Sequence, residues 1–254
     1  MEQNKRKEIL SFCLGIILIG CLIQAAGRIR DDRLVFPEVS EILRAFLRLI
    51  GKGETWQKIG VTLVHLLKAL AVSSVIGILV GVAEGLSDFV RTLFRPLMMM
   101  LRSIPMIVLV VVIMVLTRYE RVPLIATSLI LIPMISEAAN EGCRRIDREL
   151  IDVYRMNSGF GFRILFSVYL PLMAGYLKQV YINAVGMGLK LAVSTEYLVQ
   201  TRNSLGKAVY SSSYFNEYQD IYAYALIMIL LVLGVSELPL AVGRAWSAFR
   251  KKAG

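Results

Sequence analysis

Six stretches of the chain are almost continuously apolar, and the intervals between them are polar. They run over about 9–26, 59–84, 96–117, 122–141, 170–195 and 221–243. Each approaches the length of about 20 residues that a helix needs to cross a bilayer. The pattern predicts an all-α integral membrane protein with six transmembrane helices in one domain over residues 1–254. The segments are not pure: Lys68, Glu84, Glu137, Lys178 and Lys190 interrupt them. A charge facing lipid is costly, so these side chains should face a bundle interior, water or the membrane surface.

Two finer patterns sit inside this frame. Over about 38–50, apolar residues at 39, 42, 43, 46, 47 and 50 recur at helical spacing and Pro37 suits a helix start. This predicts an amphipathic helix, either lying along the outer membrane surface or packing on the bundle. In the second segment Ser73, Gly77, Gly81 and Gly85 are four residues apart. Small residues at that spacing form a flat strip that another helix can approach closely.

Composition agrees with a membrane protein: 56% of residues are apolar and the net charge is +10. The basic residues cluster between apolar segments, without the interleaved aromatics of a single-strand binder, so nucleic acid is not an expected partner. Clusters at Lys5–Lys7, Arg91–Arg102, Arg144–Arg163 and Arg244–Lys252 fall on one side of a six-span chain. The positive-inside rule makes that side, and both termini, cytoplasmic. The basic residues of 27–58 run against this assignment. Ile9 to Gly27 is uncharged for 19 residues, longer than the core of a cleaved leader, and reads as a retained span.

Several chemistries lack their residues. No phosphate-cradling GxxxxGK[ST] occurs. His65 is the only histidine, and Cys13, Cys21 and Cys143 form no metal spacing. No catalytic residue, metal site or bound cofactor is expected in this chain.

The string SEAANEG, 136–142, contains Glu-Ala-Ala, but against the pattern of the permease family that the next stretch resembles it lies 15 residues too early relative to Leu170-Pro171. The stretch GCRRIDRELIDVYRMNSGFGFRILFSVYLPLM, 142–173, resembles instead the coupling loop of binding-protein-dependent ABC importer permeases of the nitrate/sulfonate/taurine/bicarbonate type. Gly142, Asp147, Glu149 and Leu150 match that family's pattern. Asp152, Val153 and Tyr154 stand where the family carries Glu-Ala-Ala, and Ser158 replaces its glycine. The segment 95–113 is similar to the family's Arg-x-x-x-Pro and Ile-Pro run. The segment 186–206 is similar to its fifth span, with Lys190 and Glu196 kept and Ser204-Leu205-Gly206 in place of Gly-Leu-Gly.

The resemblance covers roughly 35–245 and implies a type I ABC importer permease with a cytoplasmic coupling-helix loop at about 142–169. It implies that Asp152, Val153, Tyr154, Arg155, Met156, Asn157, Ser158, Gly159 and Phe160 dock on an ATPase. The implied partners are two ABC ATPase subunits carrying ATP and Mg, an extracytoplasmic solute-binding protein and a second permease copy. The implied location is the plasma membrane of a prokaryote. Lys190 and Glu196 are candidates to line the pathway of a small anionic or polar solute, such as a nitrate-, sulfonate- or taurine-like molecule or a vitamin precursor. A structural contact is the other reading of Lys190. An ion-coupled secondary transporter is the alternative function, resting on the charges within the spans.

Overall fold

The computed structural model describes residues 37–146 and 168–252, with side chains to 235. The expected first span, and the loop residues 152–160, lie outside the described residues. Eight α-helices occur among those described: α1 Val39–Ile50, α2 Gly53–Leu86, α3 Asp88–Ser103, α4 Met106–Leu116, α5 Val122–Arg144, α6 Leu170–Val199, α7 Leu205–Tyr214 and α8 Tyr218–Lys252.

The centre of the bundle is α2 against α5, with α6 packed on both. The glycine strip explains the closeness of the first pair. A Cβ on Gly77 would lie 2.9 Å from the Cβ of Ile135, and one on Gly81 only 2.2 Å from the backbone oxygen of Ser136. Ser73 continues the strip by donating to the Ser128 carbonyl at 3.1 Å. The predicted flat strip is therefore the α2–α5 seam, where a side chain at Gly77 or Gly81 would force the helices apart.

The third apolar segment, expected as one span over 96–117, is broken. Its halves α3 and α4 meet at 103°. Pro105 accounts for the break: Ile104, the residue before it, is held extended at φ −66°, ψ 124°. Steric conflict with a proline ring disfavours helical geometry at that preceding position. Helix α4 packs along the first half of α5, with Leu109, Val110 and Ile113 against Val122 and Ala126. Helix α3 therefore lies crosswise to it and has no buried residue.

By length and composition, α2, the helical stretch 119–144 and the first part of α8 are apolar enough to cross a membrane, with the bent pair α3–α4 as a fourth candidate. Helix α6 is long enough, but its polar residues keep it from qualifying on composition.

Helix α1 packs on the bundle. Its Ala45 and Leu49 are buried in the same core as Leu66, Leu205 and Tyr224, and Arg48 pairs with Asp220 of α8. Its opposite stripe, Val39, Leu43 and Leu47, is exposed. One face of this amphipathic helix is thus packed on the bundle and the other is exposed.

Candidate functional site

Three features combine charge with position. The first is a buried node on Glu196, near the end of α6. Its side chain is fully buried. Oε2 accepts from Thr62 Oγ1 at 2.8 Å and from the Gly206 N–H at 3.2 Å. Nδ1 of His65 hydrogen-bonds Oε1 at 2.7 Å. Thr62 Oγ1 in turn accepts from the Leu205 N–H at 3.0 Å, and Ser204 Oγ from the Lys207 N–H at 3.2 Å. Leu205, Gly206 and Lys207 open α7. A helix start leaves such N–H groups without partners inside the helix, and here side chains from α2, α6 and Ser204 take them all. A carboxylate at that end is also favoured by the helix dipole.

Gly206 belongs to the same device. A Cβ there would lie 2.4 Å from Glu196 Cβ and 2.4 Å from the Val193 carbonyl oxygen. Glycine lets the backbone close on the carboxylate. The sequence singled out Glu196 and Gly206 as two separate matches; the fold brings them into contact. Thr62 and His65 were not selected, although polar residues three apart in an apolar segment were a readable signal.

The second feature is a polar stripe on α6. Gln179, Asn183, Met187, Lys190 and Ser194 are all exposed. At about 100° per residue they fall within one sector of the helix, about 80° wide. Lys190 makes no ion pair among the described residues. Glu196 projects from a different side of the same helix and is engaged with α2 and α7. The two candidate pathway residues are not brought together. Below the stripe, a groove of about 460 Å³ opens between α5 and α6, lined in part by Glu137, Glu141, Tyr176 and Gln179.

The third feature is a charged cleft beneath α3. Arg102, in the last turn of α3, donates to Glu137 at 2.6 Å and to the Pro133 carbonyl at 2.9 Å. It clips the α3–α4 elbow onto α5. Glu137, the glutamate of SEAANEG, thus holds an arginine of its own chain. At the end of the bundle that carries the 147–167 connection, Arg144 donates to Asp88 at 2.9 and 3.0 Å, tying the end of α5 to the start of α3. Ile146 and Tyr169, which flank that connection, are both buried in a cluster with Val82, Cys143 and Met173. Both ends of the 147–167 connection are therefore anchored in the bundle core.

Comparison with known proteins follows this geometry. The profile of the family described as binding-protein-dependent transport system inner membrane component matches residues 73–244. Among solved structures, the chain is similar to one from the inward-facing conformations of the MetNI methionine ABC transporter. The TM-score is 0.61 at 19% identity, covering 75% of this chain and 93% of that one. No curated protein sequence gives a significant match. The family match spans more than half of the chain, the fold of an importer permease is reproduced, and ATP hydrolysis lies with partner subunits of this family: the chain belongs to the inner membrane permease components of binding-protein-dependent ABC importers.

Proposed function

We propose that this permease forms the pathway for a small anionic or polar solute, lined by the exposed face of α6, and that residues 152–160 transmit ATP-driven motion to it. The observation that carries the reading is the polar stripe. Gln179, Asn183, Lys190 and Ser194 share one exposed sector of α6, the helix that this reading takes as the fifth span. Polar side chains at that depth face a partner or water, since lipid offers them no hydrogen bonds. In an importer of two permease copies that face would meet its counterpart across an aqueous route. Lys190 supplies a cation there, which favours an anionic group. Glu196 serves the route indirectly by holding α6 to α2 and α7.

For coupling, the support is the anchoring of Ile146 and Tyr169 in one cluster. With Ile146 and Tyr169 held in the core, a push arriving at either from a soluble subunit passes into α5 and α6. The substitution of Val153 and Tyr154 for the family's alanines suits a dedicated ATPase partner, with two ATPase subunits, a second permease copy and a solute-binding protein completing the assembly.

The test is made in proteoliposomes holding the assembled transporter. Tyr154→Asp should leave assembly intact while reducing solute-stimulated ATP hydrolysis to near its unstimulated rate. Lys190→Ala should lower stimulation by the solute and leave basal hydrolysis alone. Normal stimulated turnover in both variants would remove the loop and the stripe from the mechanism.

A further inference from the structure

The cleft beneath α3 holds charges that the transport reading does not use. It encloses about 470 Å³ between α3 and the α2–α5 seam. Its α3 wall carries Arg91, Arg95 and Arg102; its opposite wall carries Glu84, Ser136 and Asn140. Arg102 is committed to Glu137 and the Pro133 carbonyl. Arg91 shares Asp88, at 3.6 Å, with Arg144. Arg95 makes no hydrogen bond or ion pair among the described residues.

The facing wall is short of donors. Glu84 is 5% exposed and accepts one hydrogen bond, from Ser136 Oγ at 3.2 Å. Asn140 Oδ1 is buried with no donor. A buried carboxylate ordinarily gathers several donors, because leaving its acceptor capacity empty is costly. One wall therefore offers one free guanidinium, that of Arg95, with Arg91 only loosely held beside it, and the other offers unfilled acceptors and a negative charge.

We propose that this cleft binds a phosphate ester that also carries an ammonium group. The guanidinium fork of Arg95, with Arg91, suits phosphate oxygens. An ammonium has donors and no acceptor, which is the complement of Glu84 and Asn140. The position favours a lipid as the source. Helix α3 lies crosswise to α4 and buries no residue. Phe89, Leu93 and Met100 are 76%, 60% and 62% exposed, on the side of the helix opposite the three arginines. A helix with one basic face and one apolar face lies in the membrane interface, and basic pockets between helices at the cytoplasmic surface hold phospholipid head groups. The exposed aliphatic side of α4, with Val111 and Val115 54% and 82% exposed, gives the acyl chains a surface to follow.

The test uses the full transporter, purified in mild detergent from vesicles of equimolar phosphatidylethanolamine and phosphatidylglycerol, with retained lipid measured by mass spectrometry. Wild type should retain phosphatidylethanolamine in excess. Arg95→Gln should lower that retention about fivefold, the effect of one cation near a membrane surface. Arg118→Gln, which removes an equal charge at an exposed site away from the cleft, should leave it unchanged. Glu84→Gln should shift the retained lipid toward phosphatidylglycerol, because the ammonium loses its counter-charge. A second arm adds O-phosphoethanolamine to the delipidated transporter. Saturable binding lost in Arg95→Gln, with no lipid preference in the first arm, would give the same chemistry a soluble source. Equal retention of both lipids with no soluble binding, or identical behaviour of Arg95→Gln and Arg118→Gln, would overturn the proposal. Arg95 is exposed and unpaired, so its substitution tests the site without testing the fold.

Discussion

Two buried glutamates, one at each end of α2's neighbourhood, are treated in opposite ways. Glu196 is surrounded: two side chains and a backbone N–H converge on it, and a helix start closes over it. Glu84 is nearly as buried, yet one serine serves it and an arginine-lined cavity stands in front of it. Burial alone therefore does not say what a charged residue is for. The number of donors left over does. A carboxylate whose acceptor capacity is filled holds the fold together, since a fully satisfied polar network fixes one arrangement. A carboxylate with capacity to spare, beside an unpaired cation, is open to a ligand.

That contrast sets the order of the expected effects. Glu196→Ala should be the most damaging change. It leaves the Gly206 N–H, Thr62 and His65 facing an empty buried site, at a cost of about 3 kcal/mol or more. The temperature at which half of the detergent-solubilised protein is lost should fall by about 10 °C. A fall of only about a degree would mean that water or a rearranged α7 replaces the carboxylate.

Next come the glycines that permit close approach. Gly81→Ala pushes a methyl group to 2.2 Å from a backbone oxygen that cannot move independently of α5. About 2 kcal/mol of destabilisation is expected, read by the same thermal assay. Gly60→Ala should cost nothing by that route, because no atom outside its own helix lies within 4 Å of the added carbon. Equal losses at both glycines would show that helix flexibility, and not the seam, is what the strip provides.

The smallest effect is expected at Glu137→Gln. Its partner Arg102 keeps the Pro133 carbonyl, and the two side chains are 44% and 62% exposed. Such exposed pairs contribute about 0.2–1 kcal/mol. ATPase binding, measured by co-purification, should be unaltered. A large loss of ATPase binding would mean that SEAANEG, and not 152–160, is the docking segment.

The sequence was most legible where periodicity and backbone chemistry act alone. The four-residue spacing of Ser73, Gly77, Gly81 and Gly85 announced a close helix contact, and the contact is there. It was less legible where tertiary context decides. Hydropathy joined α3 and α4 into one span because it sums apolar residues without regard to Pro105, whose geometric effect turns the chain through 103°. Glu196 and Lys190 were paired as candidate pathway residues because both match the family's fifth-span pattern. Which charge meets solvent depends on helix rotation and on neighbours far away in sequence: Thr62 lies 134 residues from the glutamate it bonds. Arg95 and Glu84 passed unremarked as a pair because it is the break between α2 and α3 at Ser87, held extended at φ −140°, ψ 118°, that folds one back over the other.

The most direct test of the account is isolation of the tagged chain from its native membranes under gentle conditions, with its companions identified by mass spectrometry. The account predicts an ABC ATPase in equal ratio to the permease, kept when Glu137 is changed to Gln. Recovery of the intact chain with no ATPase, under conditions that preserve other importers, would contradict it.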